Sequence, residues 1–233
     1  MPTITSSTNP RLKELRRLCA RRHAREACGR FVAEGEDLIA AAQRSGWPAL
    51  ELFSAEGSGL AGTLVAPEVL SRACGLGSGT RAAGVYHERW SRPVGPLCVW
   101  LHGVRDPGNV GTVLRAAEAF GANSVAFGPG CADPFAPKAV RASMGAIFAV
   151  PVARAQAADE LPGQRVALAA RRGQPLARIE GELTLVVGAE REGLPEDVLA
   201  GCDLIAHIPI ASESLNAAMA ATVALSLLSR IAP

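Results

Sequence analysis

Three polar segments, each set at the end of an apolar strand-like run, constrain this chain more than anything else in it. They read His102-Gly-Val-Arg-Asp-Pro-Gly-Asn-Val-Gly-Thr-Val-Leu-Arg115, then Val187-Gly-Ala-Glu-Arg-Glu-Gly-Leu-Pro195, then Ile208-Pro-Ile-Ala-Ser-Glu-Ser-Leu-Asn216. Open α/β sheets present glycine, amide, guanidinium, carboxylate and hydroxyl groups in this way, in the crevice beyond the carboxyl edge of their strands. An enzyme is the leading expectation.

Around these segments strand and helix signals alternate. Strands are expected over Leu97–Leu101, Ser124–Phe127, Val150–Ala153, Val166–Ala170, Leu183–Val187 and Leu204–Ile208. Helices are expected over Val110–Phe120, from about Pro134 to Phe148, from Pro195 as a short piece, and over Leu215–Ile231. This alternation predicts an α/β fold, a parallel sheet with helices on both faces. Upstream, Asn9-Pro10 marks a helix start with Leu12, Leu15 and Leu18 or Cys19 on one face and arginines on the other. A second helix over about Glu36 to Ser45 stops at Gly46, and Leu50–Phe53 and Leu64–Ala66 read as strands before a short helix from Pro67. Gly57-Ser-Gly59 and Gly75-Leu-Gly-Ser-Gly79 read as loops. A small N-terminal α/β unit over residues 1–90 and a second unit over residues 95–233 are therefore expected, joined by the linker-like Ser91-Arg-Pro-Val-Gly-Pro96.

The formal net charge of +2 is unevenly spread. Residues 1–30 hold eight basic against two acidic side chains, a local +6, including Arg11, Arg16, Arg17, Arg21, Arg22 and Arg25. A polyanion such as RNA suits that cluster, and so does an ordinary solvated helix face. The six cysteines are scattered without a Cys-x-x-Cys pair, which speaks against zinc and against a disulfide framework, and for a cytoplasmic setting. No apolar leader opens the chain, and the apolar run Ala217 to Leu228 is too short to span a bilayer. No membrane partner is expected.

Taken singly, each polar segment fits plain loop chemistry. Asn109 could cap the helix that carries Arg115, and Arg115 could pair with Glu118 one turn on. Glu190 lies in what could be a simple strand-to-helix loop, and Ser214 could be a helix cap. Asn109 and Arg115, nearly two turns apart, could also face one crevice together.

In this order and on this β/α background, the three segments resemble the three motifs of the SpoU-type, or TrmH-type, RNA ribose 2′-O-methyltransferases of the SPOUT superfamily. The resemblance covers about Leu97 to Ile231. Phe31-Val-Ala-Glu-Gly-Glu-Asp-Leu-Ile39 and Thr80-Arg-Ala-Ala-Gly-Val-Tyr86 resemble, more loosely, the small substrate-binding domain that many of these enzymes carry in front.

The resemblance implies a homodimer whose C-terminal strand and helix thread an earlier loop as a trefoil knot, against the usual connection rules. It implies S-adenosyl-L-methionine as cofactor, contacted at Gly188, Ile208 and Leu215, with Val187, Ala189, Gly193, Pro209 and Ile210 beside them. It places Asn109, Arg115, Glu190, Ser214 and Asn216 at catalytic or substrate-positioning positions. The implied reaction is attack of a ribose 2′-hydroxyl on a sulfonium methyl, with ribosomal RNA as substrate ahead of transfer RNA and no metal required. A guanidinium holds its proton, so the role expected of Arg115 is orientation of phosphate or hydroxyl. Between Pro209 and Ser214 the chain has only Ile-Ala-Ser-Glu, shorter than the family's usual loop and without its glycine. A non-catalytic RNA-binding protein on the same fold is the rival reading. A nicotinamide-dependent oxidoreductase is disfavoured, because no Gly-x-Gly-x-x-Gly follows the first strand.

Overall fold

Two sheets organise the chain in the computed structural model, which describes residues 2–75 and 79–229. The first is built from helices α1 (Pro10–Ala20), α2 (Arg22–Cys28), α3 (Glu36–Arg44) and α4 (Pro67–Cys74) with strands β1 (Arg30–Glu34), β2 (Glu51–Ala55), β3 (Thr63–Val65) and β4 (Ala82–His87). Its strand order is β1-β4-β2-β3, antiparallel except for the β2/β3 pair. Asn9 caps α1 as expected, its side chain accepting from the Arg11 amide, and Leu12, Leu15 and Leu18 are buried. The basic segment is two helices, because Arg21 takes extended backbone between them and Gly29, at φ 60°, ends the second. Strands β1 and β4 were not foreseen: their central residues are buried on both faces, so they lack the alternation that marks a half-buried strand. The glycine-rich loop read at 75–79 lies largely outside the described residues.

The second sheet holds β5 (Leu97–Leu101), β6 (Ser124–Phe127), β7 (Val152–Arg154), β8 (Gln164–Leu168), β9 (Gln174–Pro175), β10 (Leu183–Val187) and β11 (Leu204–His207). All pairs in it are parallel, in the order β7-β6-β5-β10-β8-β11-β9. Helices α5 (Pro107–Ala119), α6 (Pro137–Ala142), α7 (Ala146–Ala149), α8 (Glu196–Ala200) and α9 (Ala217–Leu228) cover it. Strand alternation divides the core in two. Leu97, Val99, Leu101, Leu183, Leu185 and Val187 pack beneath α5 and α9, whereas Cys98, Trp100, Ala126 and Val186 pack with Leu199 of α8 on the opposite face. The single helix expected near 134–148 is broken into α6 and α7, because Met144 and Gly145 take positive φ of 51° and 103°. The expected end of the last helix, at Ile231, lies outside the described residues.

The two sheets share one apolar cluster. Phe31, Leu38 and Tyr86 of the first unit pack in the same core as Val99, Val140 and Phe148 of the second. Trp47 donates its indole N–H to the Phe148 carbonyl at 2.9 Å, and the Arg25 guanidinium reaches Asp133 at 2.7 Å with both side chains buried. Nor is the linker-like segment a free tether, since the Ser91 amide bonds Val152 and the Val94 amide bonds the Ser124 hydroxyl. No described helix is long and apolar enough to cross a membrane.

Candidate active site

Strand order reverses between β5 and β10, and such a switch point leaves a crevice at the carboxyl ends of the strands. The first polar segment leaves β5 there and the second leaves β10. The third leaves β11, two places along, and the chain then turns back so that α9 packs on α5 and β10.

Each segment is shaped by local chemistry. Asp106, not Asn109, caps α5, accepting from the Gly108 amide at 3.2 Å, and Pro107 occupies the first helical position. The Lys138 ammonium at 2.7 Å holds the Asp106 carboxyl below the usual carboxylate range, helped by the Gly108 amide. Gly111 lets α5 seat on α6, because a Cβ there would collide with the Ala139 carbonyl. After β10, Gly188 folds under a tight loop closed by paired backbone bonds between Ala189 and Gly193. A Cβ at Gly188 would stand 2.5 Å from the Gly193 carbonyl group. Asn216, rather than Ser214, caps α9, its oxygen accepting from the Ala218 and Met219 amides.

Released from capping, Asn109 joins the three segments. Its amide donates to the Glu190 carboxylate, and its oxygen accepts from the Asn216 amide at 3.1 Å. Asn216 is held in turn by the α9 N-terminus, so all three polar groups are fixed in register. Beside them lies a cavity of about 440 Å³, within the usual range for small-molecule sites. Val187, Gly188, Ala189, Gly193, Ile208, Ile210 and Leu215 of the expected cofactor set line it, together with Glu190 and Ser214. Pro209 does not; it is exposed beside the cavity.

Asn109 and Asn216 stand outside the lining, Asn109 bonding Glu190 directly and Asn216 bonding Asn109, and Arg115 does not line the cavity either. Six residues of α-helix turn Arg115 by about 120° from Asn109, so the two do not face one crevice. Arg115 is exposed and makes no ion pair among the described residues, with Glu118 or otherwise.

Sequence reasoning missed the β8 end of the cavity, where Leu168, Ala169, Ala170 and Arg172 form a wall. The only cue was a strand ending there in small residues. His102, beside the cavity loops, has its imidazole pKa lowered by burial, with Asp197 pulling the other way.

The basic N-terminal residues separate into groups. Arg16 and Arg21 are exposed and make no ion pair among the described residues. Arg11 reaches Glu51 and Thr63, Arg17 reaches Glu14, and Arg22 reaches Glu26, all still at the surface. Arg25 is buried against Asp133 and the Leu18 carbonyl, so it is not available to RNA as expected.

The model of the SpoU rRNA methylase family matches residues 96–226, more than half of the chain and all three polar segments. The chain belongs to this family. The model of the MRM3-like substrate binding domain matches residues 9–71 of the first unit. The SpoU chain is 29% identical to the 23S rRNA (guanosine(2553)-2′-O)-methyltransferase RlmP of Bacillus subtilis, over 96% of its own length and 97% of that protein's. Its fold matches the AdoMet-bound rRNA methyltransferase of Sinorhizobium meliloti with a TM-score of 0.84 at 31% identity, covering 96% of this chain and 95% of that one. It also matches the SpoU methyltransferase AviRb of Streptomyces viridochromogenes in complex with AdoMet, at TM-score 0.84 and 26% identity over 94% and 96% of the two chains.

Proposed function

We propose that the protein transfers a methyl group from S-adenosyl-L-methionine to a ribose 2′-hydroxyl in ribosomal RNA. The observation that carries this is the Glu190–Asn109–Asn216 chain of hydrogen bonds, with Asn109 at its centre, which ties all three SpoU segments together at one cavity. The residues present fit the cofactor: Gly188 lets the loop fold tightly and Gly193 leaves its backbone open to close approach, Leu168, Leu199, Ile208 and Leu215 give apolar walls, and Glu190 supplies a carboxylate for a cationic group. When bound, the cofactor supplies an electrophilic methyl group. Around it, Asn216 holds Asn109, Asn109 in turn holds Glu190, and Ser214 offers a hydroxyl at the cavity wall for the ribose or its neighbour. Mapping ribose methylation by mass in RNA from a strain lacking the protein, against its parent, tests the assignment; the expected result is one ribosomal 2′-O-methyl lost, and an unchanged map overturns it.

Valine at Gly188 is expected to weaken S-adenosylmethionine binding roughly 10- to 100-fold, since the added side chain must push the Gly193 backbone aside. Calorimetry reads this directly, and unchanged affinity would move the cofactor out of this cavity.

The first unit, residues 1–90, is read as the RNA-gripping part and residues 95–233 as the transferase. Glutamate at both Arg16 and Arg21 is expected to weaken RNA retention and lower the slope of its salt dependence by about one per lost phosphate contact. Equal retention by the variant in a salt titration would free these residues of the role.

The working form is a homodimer built on α9 and α5. Met219, Val223 and Leu227 form an exposed apolar stripe at helical spacing on α9, and Arg115 stands on the exposed side of the neighbouring α5. Arg115 thereby serves the cavity of the second copy. The knot expected from the family is consistent with the return of α9 across the sheet onto α5. A cytoplasmic setting accords with six unpaired cysteines.

A further inference from the structure

A second cleft opens at the same carboxyl edge of the larger sheet, beyond β6 and β7, where the two units meet. It measures about 90 Å³ and is lined by Arg22 and Glu26 of α2, Glu88 and Trp90 after β4, and Arg154 and Gln156 at the end of β7. None of these belongs to the SpoU segments.

The cleft is layered. The Arg154 guanidinium lies over the Trp90 ring, 3.9 Å from its centroid, and Phe135 braces that ring edge-on at 5.1 Å. The Trp90 indole N–H donates to one oxygen of Glu88 at 3.0 Å. Behind the stack, the buried Arg25–Asp133 pair fixes the floor. Glu88 is half-buried, and burial pushes its carboxyl up; neither it nor Arg154 makes an ion pair among the described residues. A partly dehydrated carboxylate gains from N–H donors brought by a ligand.

The charges decide which ligand. Arg22, Arg25 and Arg154 are matched by Glu26, Glu88 and Asp133, so the cleft has no excess positive charge with which to hold a phosphate. A stacked guanidinium and indole beside an acceptor suits a planar, neutral group with donors on its edge, which is how unstacked RNA bases are held. The small volume takes a base edge rather than a whole nucleotide. With neighbouring strands about 4.8 Å apart, three strand positions put this cleft roughly 14 Å from the cofactor cavity, a short step along an unpaired strand.

We propose that this cleft holds a nucleobase of the substrate RNA outside the target nucleotide, its face on the Arg154–Trp90 stack and its edge on Glu88. Guanine suits it best, since a carboxylate accepts from both its ring N–H and its 2-amino group. The proposal rests on the RNA methyltransferase reading.

The test follows the Trp90 indole N–H by NMR in the full chain, assigned with Trp90→Phe, while S-adenosylhomocysteine fills the larger cavity. Guanosine 5′-monophosphate and inosine 5′-monophosphate are titrated in turn; they differ only in the 2-amino group. The expected result is a saturable Trp90 shift with guanosine monophosphate, about tenfold weaker binding of inosine monophosphate, and loss of that difference in Glu88→Gln. Arg154→Met should weaken both nucleotides. A Trp90 signal unmoved by either nucleotide, or a preference that survives Glu88→Gln, overturns the proposal. Failure of the methyltransferase reading would appear separately, as absence of S-adenosylhomocysteine binding.

Discussion

Alanine at Arg115 should lower methyl transfer roughly 10²- to 10³-fold, the loss typical of removing one well-aimed charged donor. S-adenosylmethionine affinity should stay as it was, because Arg115 does not line the cavity. Stability should move by no more than about 0.5 kcal/mol, since the side chain is exposed and gives up no ion pair among the described residues. The reasoning is one of orientation. A guanidinium can hold a phosphate or hydroxyl with paired donors, and Arg115 makes no ion pair among the described residues, whereas Arg105 of the same segment pairs with Glu192 and Asp106 with Lys138.

Geometry adds a sharper expectation. In one chain Arg115 is exposed and does not line its own cavity, so on the proposed homodimer its action is expected to require the second copy. Co-expressing Arg115→Ala with Gly188→Val should restore part of the activity that each lacks alone. The mixed dimer pairs one intact cavity with an intact Arg115 from the other chain. Single-turnover transfer on purified mixed dimers measures this. Full activity of Arg115→Ala alone removes the residue from the mechanism, and a silent mixed dimer removes the cross-subunit arrangement.

Alanine at Arg25 should destabilise the fold by about 3–5 kcal/mol, the range for breaking a buried ion pair and leaving one charge behind. Arg25 donates through two nitrogens to one oxygen of Asp133, at 2.9 and 2.7 Å, and through a third to the Leu18 carbonyl at 2.7 Å. The other Asp133 oxygen accepts from the Phe135 amide at 2.8 Å. Removing the guanidinium thus strands a carboxylate between α2 and the loop after β6. Replacing both partners, as Arg25→Met with Asp133→Leu, should recover much of the loss, because the cost of the uncompensated charge disappears. Denaturant unfolding of the single and double variants reads both effects. A loss below about 1 kcal/mol in Arg25→Ala would mean that water reaches the pair.

Much of the larger sheet was legible in the chain. Its strands are short apolar runs bounded by turn residues, and β6 and β10 fall where those runs lie. Gly188, Ile208 and Leu215, which the family resemblance implied as cofactor contacts, line the cavity. Arg25 was misread because a local run of arginines is silent about a partner 108 residues away. Asn109 looked like a cap because the helix was expected to begin at Val110; it begins three residues earlier, at Pro107, which puts Asp106 in the capping position.

The amino-acid sequence determined the alternating strands and helices, the cap at Asn9, and the three polar segments, since all depend on neighbours a few residues apart. Only the tertiary structure decided that Asn109, Glu190 and Asn216 share one hydrogen-bond chain, that Arg115 is exposed outside the lining of its own cavity, and that the two units share a core. Those depend on the angle at which packed helices and strands present a side chain, and that angle is set by contacts made across the whole fold.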